Sequence, residues 1–212
     1  MAIWPALVAS VALFLSAEVP AESVLLDVPY RSQLDGSPYE TANCGPTSVA
    51  MLLAFHGIDA SPWEIRVRAM QAQDSWVDSE GGYSDDYGVF IHHLATVAES
   101  YGLRTEGLWH REGFRIDRLR EWQPADVRNA LRVGHPVVVQ VRYQSLPERS
   151  EVPYSGDHYI VVHGAEAGEF IYSDPYDRRG GGPGRIMTEE ELARAMSEAS
   201  IPRAAFAVYA PP

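Results

Sequence analysis

The chain has 212 residues, 46% of them hydrophobic, which is enough for one globular domain with a substantial core. Its formal net charge of −12 at pH 7 argues against nucleic acid or an anionic membrane surface as the main partner. All 17 basic residues are arginine, so any mechanism that requires a lysine side chain is excluded.

The N-terminal segment is apolar. Residues 2–17 carry no charged side chain, and this run is shorter than the roughly 20 residues of a membrane-spanning helix. Small residues at Val19-Pro20-Ala21 suit cleavage after Ala21, so residues 1–21 are interpreted as a secretory signal peptide. No Lys or Arg precedes the run, so a membrane anchor stays open as the alternative. Residues 22–212 are then expected to form a single secreted or extracytoplasmic domain.

The first half of this domain is predicted to be mainly helical. A short strand ends at Pro29, and a nearly all-apolar run follows Cys44 and closes at Gly57, a residue typical of helix C-termini. Ser61 and Glu64 have the spacing of a capping box. The predicted elements are a strand over 23–30, the helix after Cys44, a helix over 61–73, an acidic loop over 74–87 and a helix over 87–101.

The second half is predicted to be mainly strands that pair antiparallel. Its elements are a helix over 124–131, strands over 137–141, 158–163 and 170–173, a glycine-rich loop over 179–184, a helix over 188–197 and a strand over 204–209. The strand over 158–163 is apolar on both faces, which favours a central place in a sheet. Helices early and antiparallel strands late predict an α+β fold.

Cys44 is the only cysteine, so it cannot form an internal disulfide. Pro46 suits the first turn of the helix that follows, because a missing N–H costs nothing there. The thiol is therefore placed at the positive end of a helix, which favours the thiolate. An unpaired thiol in an exported protein suggests catalysis. The alternative is that Cys44 is a small buried apolar side chain.

A catalytic thiol needs a base within hydrogen-bond reach and a group that orients the base. Among seven histidines, His158 is the best candidate, because it opens an apolar strand directly after a polar turn. The next strand ends at Asp174, before Pro175, which predicts a carboxylate beside the imidazole. An ordinary Asp-Pro turn is the alternative for Asp174. The remaining histidines fit exposed, capping, turn or opposite-face positions: His56, His92, His93, His110, His135 and His163.

Five short blocks, in this order, resemble the bacteriocin-processing, double-glycine-leader type of papain-like cysteine peptidase and its stand-alone relatives. They are Leu26-Asp27-Val28-Pro29-Tyr30-Arg31-Ser32-Gln33, Asn43-Cys44-Gly45-Pro46-Thr47-Ser48-Val49-Ala50-Met51, Gly134-His135-Pro136-Val137-Val138-Val139, His158-Tyr159-Ile160-Val161-Val162-His163-Gly164 and Ser173-Asp174-Pro175. The resemblance covers about residues 24–201. It implies a papain-like fold, with the nucleophile at a helix N-terminus and the helices packed on a mostly antiparallel sheet.

The resemblance also implies a role for individual residues. Cys44 matches the nucleophile, His158 the general base and Asp174 the residue that orients the base. Gln33 matches the side-chain donor of the oxyanion hole, and the backbone N–H of Cys44 would be the second donor. A peptide or protein is then the expected substrate. No cofactor and no metal are expected, and the protein is expected to be a monomer.

The chain departs from the transporter-fused members of this group. In those members the domain precedes membrane helices and an ATPase, and neither pattern occurs here. The segment Arg179-Gly180-Gly181-Gly182-Pro183-Gly184-Arg185 lacks the Lys-Ser/Thr of a P-loop. The stretch from Gln33 to Cys44 is also longer. A leader peptide ending in Gly-Gly is therefore not assigned as the substrate.

Three other functions remain open on the sequence alone. The same site could transfer an acyl group to an amine or thiol, or act as an amidase, and the domain could also be an exported binding module without catalysis. A calcium site is the third, but the acidic residues that could form it lack EF-hand spacing, so a solvated loop is preferred: Asp74, Asp78, Glu80, Asp85 and Asp86. The aromatic residues of that loop are hypothesised to overhang the cleft: Trp76, Tyr83 and Tyr87.

Overall fold

The computed structural model describes residues 23–37, 39–72, 88–112, 115–177 and 181–212. The expected signal peptide over 1–21 and the acidic loop over 74–87 lie outside the described residues, as do the predictions made for them. Among the described residues, no helix combines the length and the apolar character needed to cross a bilayer.

The helices and strands of the described residues follow the predicted order. The helices are α1 (Cys44–Phe55), α2 (Pro62–Ala72), α3 (Ile91–Ser100), α4 (Pro124–Arg132) and α5 (Glu189–Ser197). The strands are β1 (Val24–Leu25), β2 (Arg104–Glu106), β3 (Trp109–Glu112), β4 (Arg115–Leu119), β5 (Val137–Arg142), β6 (Asp157–Glu166), β7 (Glu169–Ser173), β8 (Arg185–Thr188) and β9 (Ala205–Tyr209). Every predicted helix and strand within the described residues is present, but the strand predicted over 23–30 is only the two residues Val24–Leu25. The short strands β2, β3, β4 and β8 are additional.

The main sheet is antiparallel, with the strand order β2-β9-β5-β6-β7-β8, and β1 pairs with the far end of β6. β6 is central, as its apolar sequence predicts: Val141 of β5 lies opposite His158. On the other side of β6, Ser173 of β7 lies opposite Val161 of β6. The β6–β7 hairpin therefore brings the residue after β7 to the end of the sheet where β6 begins.

Helices cover both faces of this sheet, and α1 is the most deeply buried of them. Every residue from Gly45 to Leu53 is buried, as expected for a helix that is apolar on all sides. A Cβ atom on Gly45 would lie 2.7 Å from Leu94 Cδ1 of α3 and 3.1 Å from Tyr159 Cδ2 of β6. The absence of a side chain lets the first turn of α1 approach β6 closely. This approach places Cys44 beside the beginning of β6.

The predicted helix ends are confirmed by their hydrogen bonds. Gly57 closes α1 with a φ of 77°, a conformation that favours glycine. At the start of α2, Ser61 Oγ accepts the N–H of Glu64 at 3.1 Å. At the start of α5, Thr188 Oγ1 accepts the N–H of Glu191 at 3.2 Å, and Glu191 Oε2 accepts the N–H of Thr188 at 2.8 Å. The helix boundaries thus follow from local sequence.

Candidate active site

Cys44 is the first residue of α1, and its half-buried thiol lines a cleft. The turn before it is held by Arg66 of α2, a residue only 1% exposed. The Arg66 Nη1 donates to the carbonyl oxygen of Ala42 at 3.2 Å and to Asn43 Oδ1 at 3.3 Å. A buried guanidinium therefore holds the backbone that leads into the helix, which keeps Cys44 at a fixed place in the cleft.

His158 is the second residue of β6 and is 4% exposed. Its Nε2 lies 2.8 Å from Asp174 Oδ1, and the Cys44 side chain lies close enough to the ring to raise the pKa of His158. Because Nε2 faces the carboxylate, Nδ1 is the ring nitrogen left for the sulfur. The edge of the Tyr143 ring also packs on the imidazole, with ring centroids 4.8 Å apart and an interplanar angle of 68°. Asp174 and Tyr143 therefore hold the imidazole in place in the cleft.

Asp174 follows β7 directly and is completely buried. Its Oδ1 accepts hydrogen bonds from His158 Nε2 and from the backbone N–H of Tyr176 at 2.9 Å, and its Oδ2 accepts one from Arg149 Nη2 at 3.1 Å. Burial alone would raise the pKa of the Asp174 carboxyl. The charge and hydrogen bond of His158, the Tyr176 N–H and the Arg149 charge outweigh it and hold the pKa below its ordinary value. Asp174 is therefore ionised near neutral pH.

The basicity of His158 follows from the same contacts. Burial of the ring lowers the pKa of His158, but the charge and hydrogen bond of Asp174, followed by those of Cys44, raise it to about 10. The Tyr143 hydroxyl does not compete for the proton, because burial and the nearby Asp174 charge raise the pKa of Tyr143 to about 12. The site therefore stabilises the imidazolium that forms when His158 takes up a proton.

Gln33 is 1% exposed and lines the same cleft as Cys44. Its backbone N–H donates to the carbonyl oxygen of Pro175 at 2.9 Å, which ties it to the chain just after Asp174. The side-chain Nε2 donates to the carbonyl oxygen of Glu40 at 2.7 Å. A primary amide carries two N–H donors, so one remains for a ligand. The structure thus brings Gln33, Cys44 and His158 to one cleft, with Asp174 behind His158.

The cleft has a volume of about 790 Å³ and runs between the helical side and the sheet side of the molecule. Its lining includes backbone or side-chain atoms of Gln33, Thr41, Ala42, Cys44, Gly88, Val89, Phe90, Gln140, Tyr143, Glu148, Arg149, Val152, Pro153, Tyr154, Asp157, His158, Tyr159, Tyr176, Asp177 and Ser200. Within the described residues, no group of three or more His, Cys, Asp or Glu side chains is arranged to hold a metal ion.

Sequence reasoning missed two residues that contact the His158–Asp174 pair. Tyr143 lies in a short 3-10 turn after β5, and Arg149 follows it in the loop that leads to β6. Neither residue lies in a periodic or motif-like stretch, so its sequence surroundings carry no signal for this place. The contacts exist because the loop folds back over the start of β6.

Gly182 offers a test of how Asp174 is held. Its carbonyl oxygen accepts the N–H of Asp174 at 2.8 Å, and an added Cβ would lie 2.5 Å from the Asp174 carbonyl oxygen and also collide with the Tyr30 hydroxyl. We expect Gly182→Ala to lower the free energy of unfolding by about 1–3 kcal/mol, because backbone must shift. Urea denaturation measures this, and peptide turnover should fall with it.

Gly88→Ala is the matched control for the unfolding measurement, because its added methyl meets no heavy atom of the described residues within 4 Å. The control should change the free energy of unfolding by at most about 0.5 kcal/mol. Equal stability of the Gly182→Ala variant and the control would contradict the close packing of this loop on Asp174.

The site combines a thiol at a helix N-terminus, an imidazole at the start of a central strand and a carboxylate after the next strand. The α+β fold is that of the papain-like cysteine peptidases. The sequence matches the Peptidase_C39 like family over residues 25–199, and the chain belongs to that family. It is accordingly a cysteine peptidase, as the sequence resemblance predicts.

Solved structures share this fold at low sequence identity. A protein from Bacillus anthracis described as a C39-like peptidase has a TM-score of 0.59 and 18% identity, and the match covers 90% of this chain and 98% of that one. A double glycine motif protease from an AMS/PCAT transporter, solved in complex with the leader peptide, has a TM-score of 0.52 and 16% identity. The match covers 87% of this chain and 91% of that one. Xylellain, a cysteine protease from Xylella fastidiosa, has a TM-score of 0.53 and 12% identity, and the match covers 90% of this chain and 86% of that one. No curated protein sequence gives a significant match.

Proposed function

We propose that this protein is an exported, monomeric cysteine peptidase that hydrolyses peptide bonds with Cys44, His158 and Asp174 as its catalytic residues and Gln33 as an oxyanion-hole donor. The observation that carries the proposal is that Cys44 and His158 line the same cleft, while His158 Nε2 lies 2.8 Å from Asp174 Oδ1. A nucleophile, a base and an orienting carboxylate in one cleft are the parts that thiol acyl chemistry requires.

The first half of the reaction forms an acyl-enzyme. His158 Nδ1 takes the proton of the Cys44 thiol, and the thiolate attacks the carbonyl carbon of the scissile bond. The negative charge that develops on the carbonyl oxygen is bound by the second N–H of Gln33 and by the backbone N–H of Cys44, which has no partner within its helix at this first position. Each such donor lowers the activation free energy by about 3 kcal/mol. His158 then protonates the leaving amine as the C–N bond breaks.

The second half returns the free enzyme. A water molecule donates a proton to His158 as its oxygen attacks the thioester carbon. The same donors bind the second oxyanion, and the C–S bond breaks to release the carboxylic acid product. His158 returns the proton to the sulfur. Asp174 remains ionised throughout and stabilises the imidazolium that forms in each half-reaction.

A peptide is the substrate class that we assign to the cleft. The cleft volume of about 790 Å³ can accommodate several residues of an extended chain. The AMS/PCAT protease, which shares the fold, was solved with a leader peptide, and this supports a peptide in the corresponding cleft here. We also propose that residues 1–21 direct the protein out of the cytoplasm or hold it at a membrane.

Single-site alkylation tests this function, because Cys44 is the only cysteine in the chain. Wild-type protein is incubated with a peptide library, with and without prior treatment by iodoacetamide, and products are identified by mass spectrometry. We expect cleavage at defined peptide bonds and loss of cleavage in proportion to the fraction of alkylated protein. Cleavage that survives complete alkylation would rule out Cys44 as the nucleophile.

Acyl transfer is separated from hydrolysis in the same assay. The library is incubated again with added glycine amide, which can replace water as the acceptor. Hydrolysis predicts free carboxylates as the main products, whereas transfer predicts products extended by the added amine. Absence of both product types would contradict an enzymatic role for the cleft.

A further inference from the structure

Arg149 contacts the carboxylate that holds His158, on the oxygen that His158 does not use. The Arg149 side chain is 13% exposed, and its Nη2 lies 3.1 Å from Asp174 Oδ2 and 3.3 Å from Asp177 Oδ2. His158 Nε2 and the Tyr176 N–H bind Asp174 Oδ1. The two oxygens of one carboxylate are therefore assigned to different partners, so the carboxylate cannot rotate without losing a charged contact.

Arg149 also reaches the second support of the imidazole. Its guanidinium carbon lies 5.7 Å from the centroid of the Tyr143 ring, within cation–π range. The Tyr143 ring packs edge-on against His158 with centroids 4.8 Å apart. One cation thus contacts both the carboxylate and the aromatic ring that hold His158.

The charges around Arg149 alternate in sign. Asp177 Oδ2 also accepts Arg185 Nη1 at 3.3 Å, and Arg185 Nη2 binds Glu148 at 3.0 Å. The Arg185 Nε donates to the Tyr172 hydroxyl at 3.1 Å. Asp177 is therefore shared between two arginines, so Arg149 keeps much of its positive charge for Asp174. Towards the cleft, the groups that face His158 are Cys44, Asp174 and Tyr143.

We propose that Arg149 is a positioning residue of this active site: it fixes the Asp174 carboxylate on His158, and its charge limits how strongly Asp174 holds the protonated imidazole. The proposal rests on the proposed function, since it assigns Arg149 a part in the same reaction. A base that holds its proton too tightly protonates the leaving amine slowly. A cation on the far oxygen of Asp174 weakens that hold while the hydrogen bond keeps its geometry.

The test compares Arg149→Met, Arg149→Lys and the matched control Arg128→Met across a pH series with one cleaved peptide. Methionine keeps the apolar stem and removes the charge. For Arg149→Met we expect kcat to fall at least about tenfold with KM within about threefold, because a misplaced carboxylate impairs the chemical step. The alkaline limb of kcat/KM should move to higher pH by about 0.5 unit or more, because His158 loses a nearby cation.

Arg149→Lys keeps the charge but loses the forked geometry, so its kcat should fall and its alkaline limb should stay in place. Arg128→Met removes an arginine whose side chain is 14% exposed, close to the 13% of Arg149, but which pairs with Glu189 outside the cleft lining. It should leave both kcat and the alkaline limb close to wild type. If Arg149→Met does not fold, the lysine variant decides: full kcat or a shifted limb in that variant would overturn the proposal.

Two other results would overturn it in the methionine variant. A lower kcat with an unmoved alkaline limb would assign Arg149 a structural role alone. A raised KM with unchanged kcat would assign it to substrate binding. Both results need a working enzyme whose activity is lost on Cys44 alkylation. Wild-type protein that cleaves no peptide, or that cleaves after alkylation, would overturn the proposed function itself and this inference with it.

Discussion

Replacing Cys44 by alanine should lower kcat/KM for peptide cleavage by at least about 10⁴-fold, since the residual rate then comes from substrate binding and the oxyanion donors alone. The sulfur has no substitute, because the sequence contains no other cysteine. Labelling by an activity probe for cysteine peptidases should disappear together with turnover. Initial rates with one library peptide, measured for wild type and variant at equal concentration, give the ratio.

The fold should survive this change, because Cys44 is only half-buried at the start of α1 and alanine keeps its Cβ atom. Ser48→Ala is a matched control on the same helix: Ser48 is buried, and its Oγ has no hydrogen-bond partner among the described residues. That variant should keep its turnover. A Cys44→Ala variant that keeps wild-type turnover and the same melting temperature would remove Cys44 from the mechanism.

Replacing His158 by glutamine should lower kcat/KM by about 10³-fold or more, because the thiol loses its base. The alkylation rate of Cys44 near pH 7 should also fall, since the imidazolium no longer stabilises the thiolate. The rate of iodoacetamide reaction between pH 5 and 9 measures this in both proteins. His56→Gln is the matched control, because His56 lies at the other end of α1 and outside the cleft lining. It should keep both rates.

The same substitution should change how stability depends on pH. The pKa of His158 is raised to about 10 in the folded protein, against about 6.5 in an unfolded chain. Its contribution to stability is therefore fully present below about pH 6.5 and is lost as the pH rises towards 10. The free energy of unfolding of wild type should fall over this range, and that of His158→Gln should fall less. Urea denaturation at pH 6.5, 8 and 9.5 measures the two slopes, and equal slopes would contradict the raised pKa.

At acid pH, protonation of Asp174 should dominate the pH dependence of the free energy of unfolding. Its pKa is lowered in the folded protein, so its contribution is present above the ordinary aspartate value of about 3.9 and is lost as the pH falls through the folded pKa. The two groups of the His158–Asp174 pair therefore predict a stability maximum between about pH 4 and 6.5. The pair is most strongly held where Asp174 is ionised and His158 is protonated.

Local sequence is sufficient to predict the elements that carry the thiol, the imidazole and the carboxylate. The apolar run after Cys44, ended by Gly57, predicts α1 because a helix that is apolar on all sides must be buried. The hairpin of β6 and β7 follows from two apolar runs joined by a short glycine-containing turn. Its register then places Asp174 near His158, because antiparallel neighbours return to the same end of the sheet.

Local sequence does not predict the additional short strands. β2 contains Arg104, Thr105 and Glu106, and it forms an edge of the sheet by backbone pairing with β9. β8 forms the opposite edge beside β7. Edge strands bury little of their side chains, so they lack the apolar alternation that predicts a strand. Their pairing depends on the neighbouring strand, which local sequence does not contain.

From the amino-acid sequence alone come the α+β class, the single thiol at a helix start, and the His158 and Asp174 positions at the ends of paired strands. These depend on periodicity, caps and turns, which act over a few residues. Only the tertiary structure decides that Gln33 reaches the cleft, that Tyr143 packs on His158, and that Arg149 binds Asp174 Oδ2. Those contacts depend on how separate loops pack: the backbone of Gln33 is tied to Pro175 after β7, and the loop between β5 and β6 folds back over the start of β6.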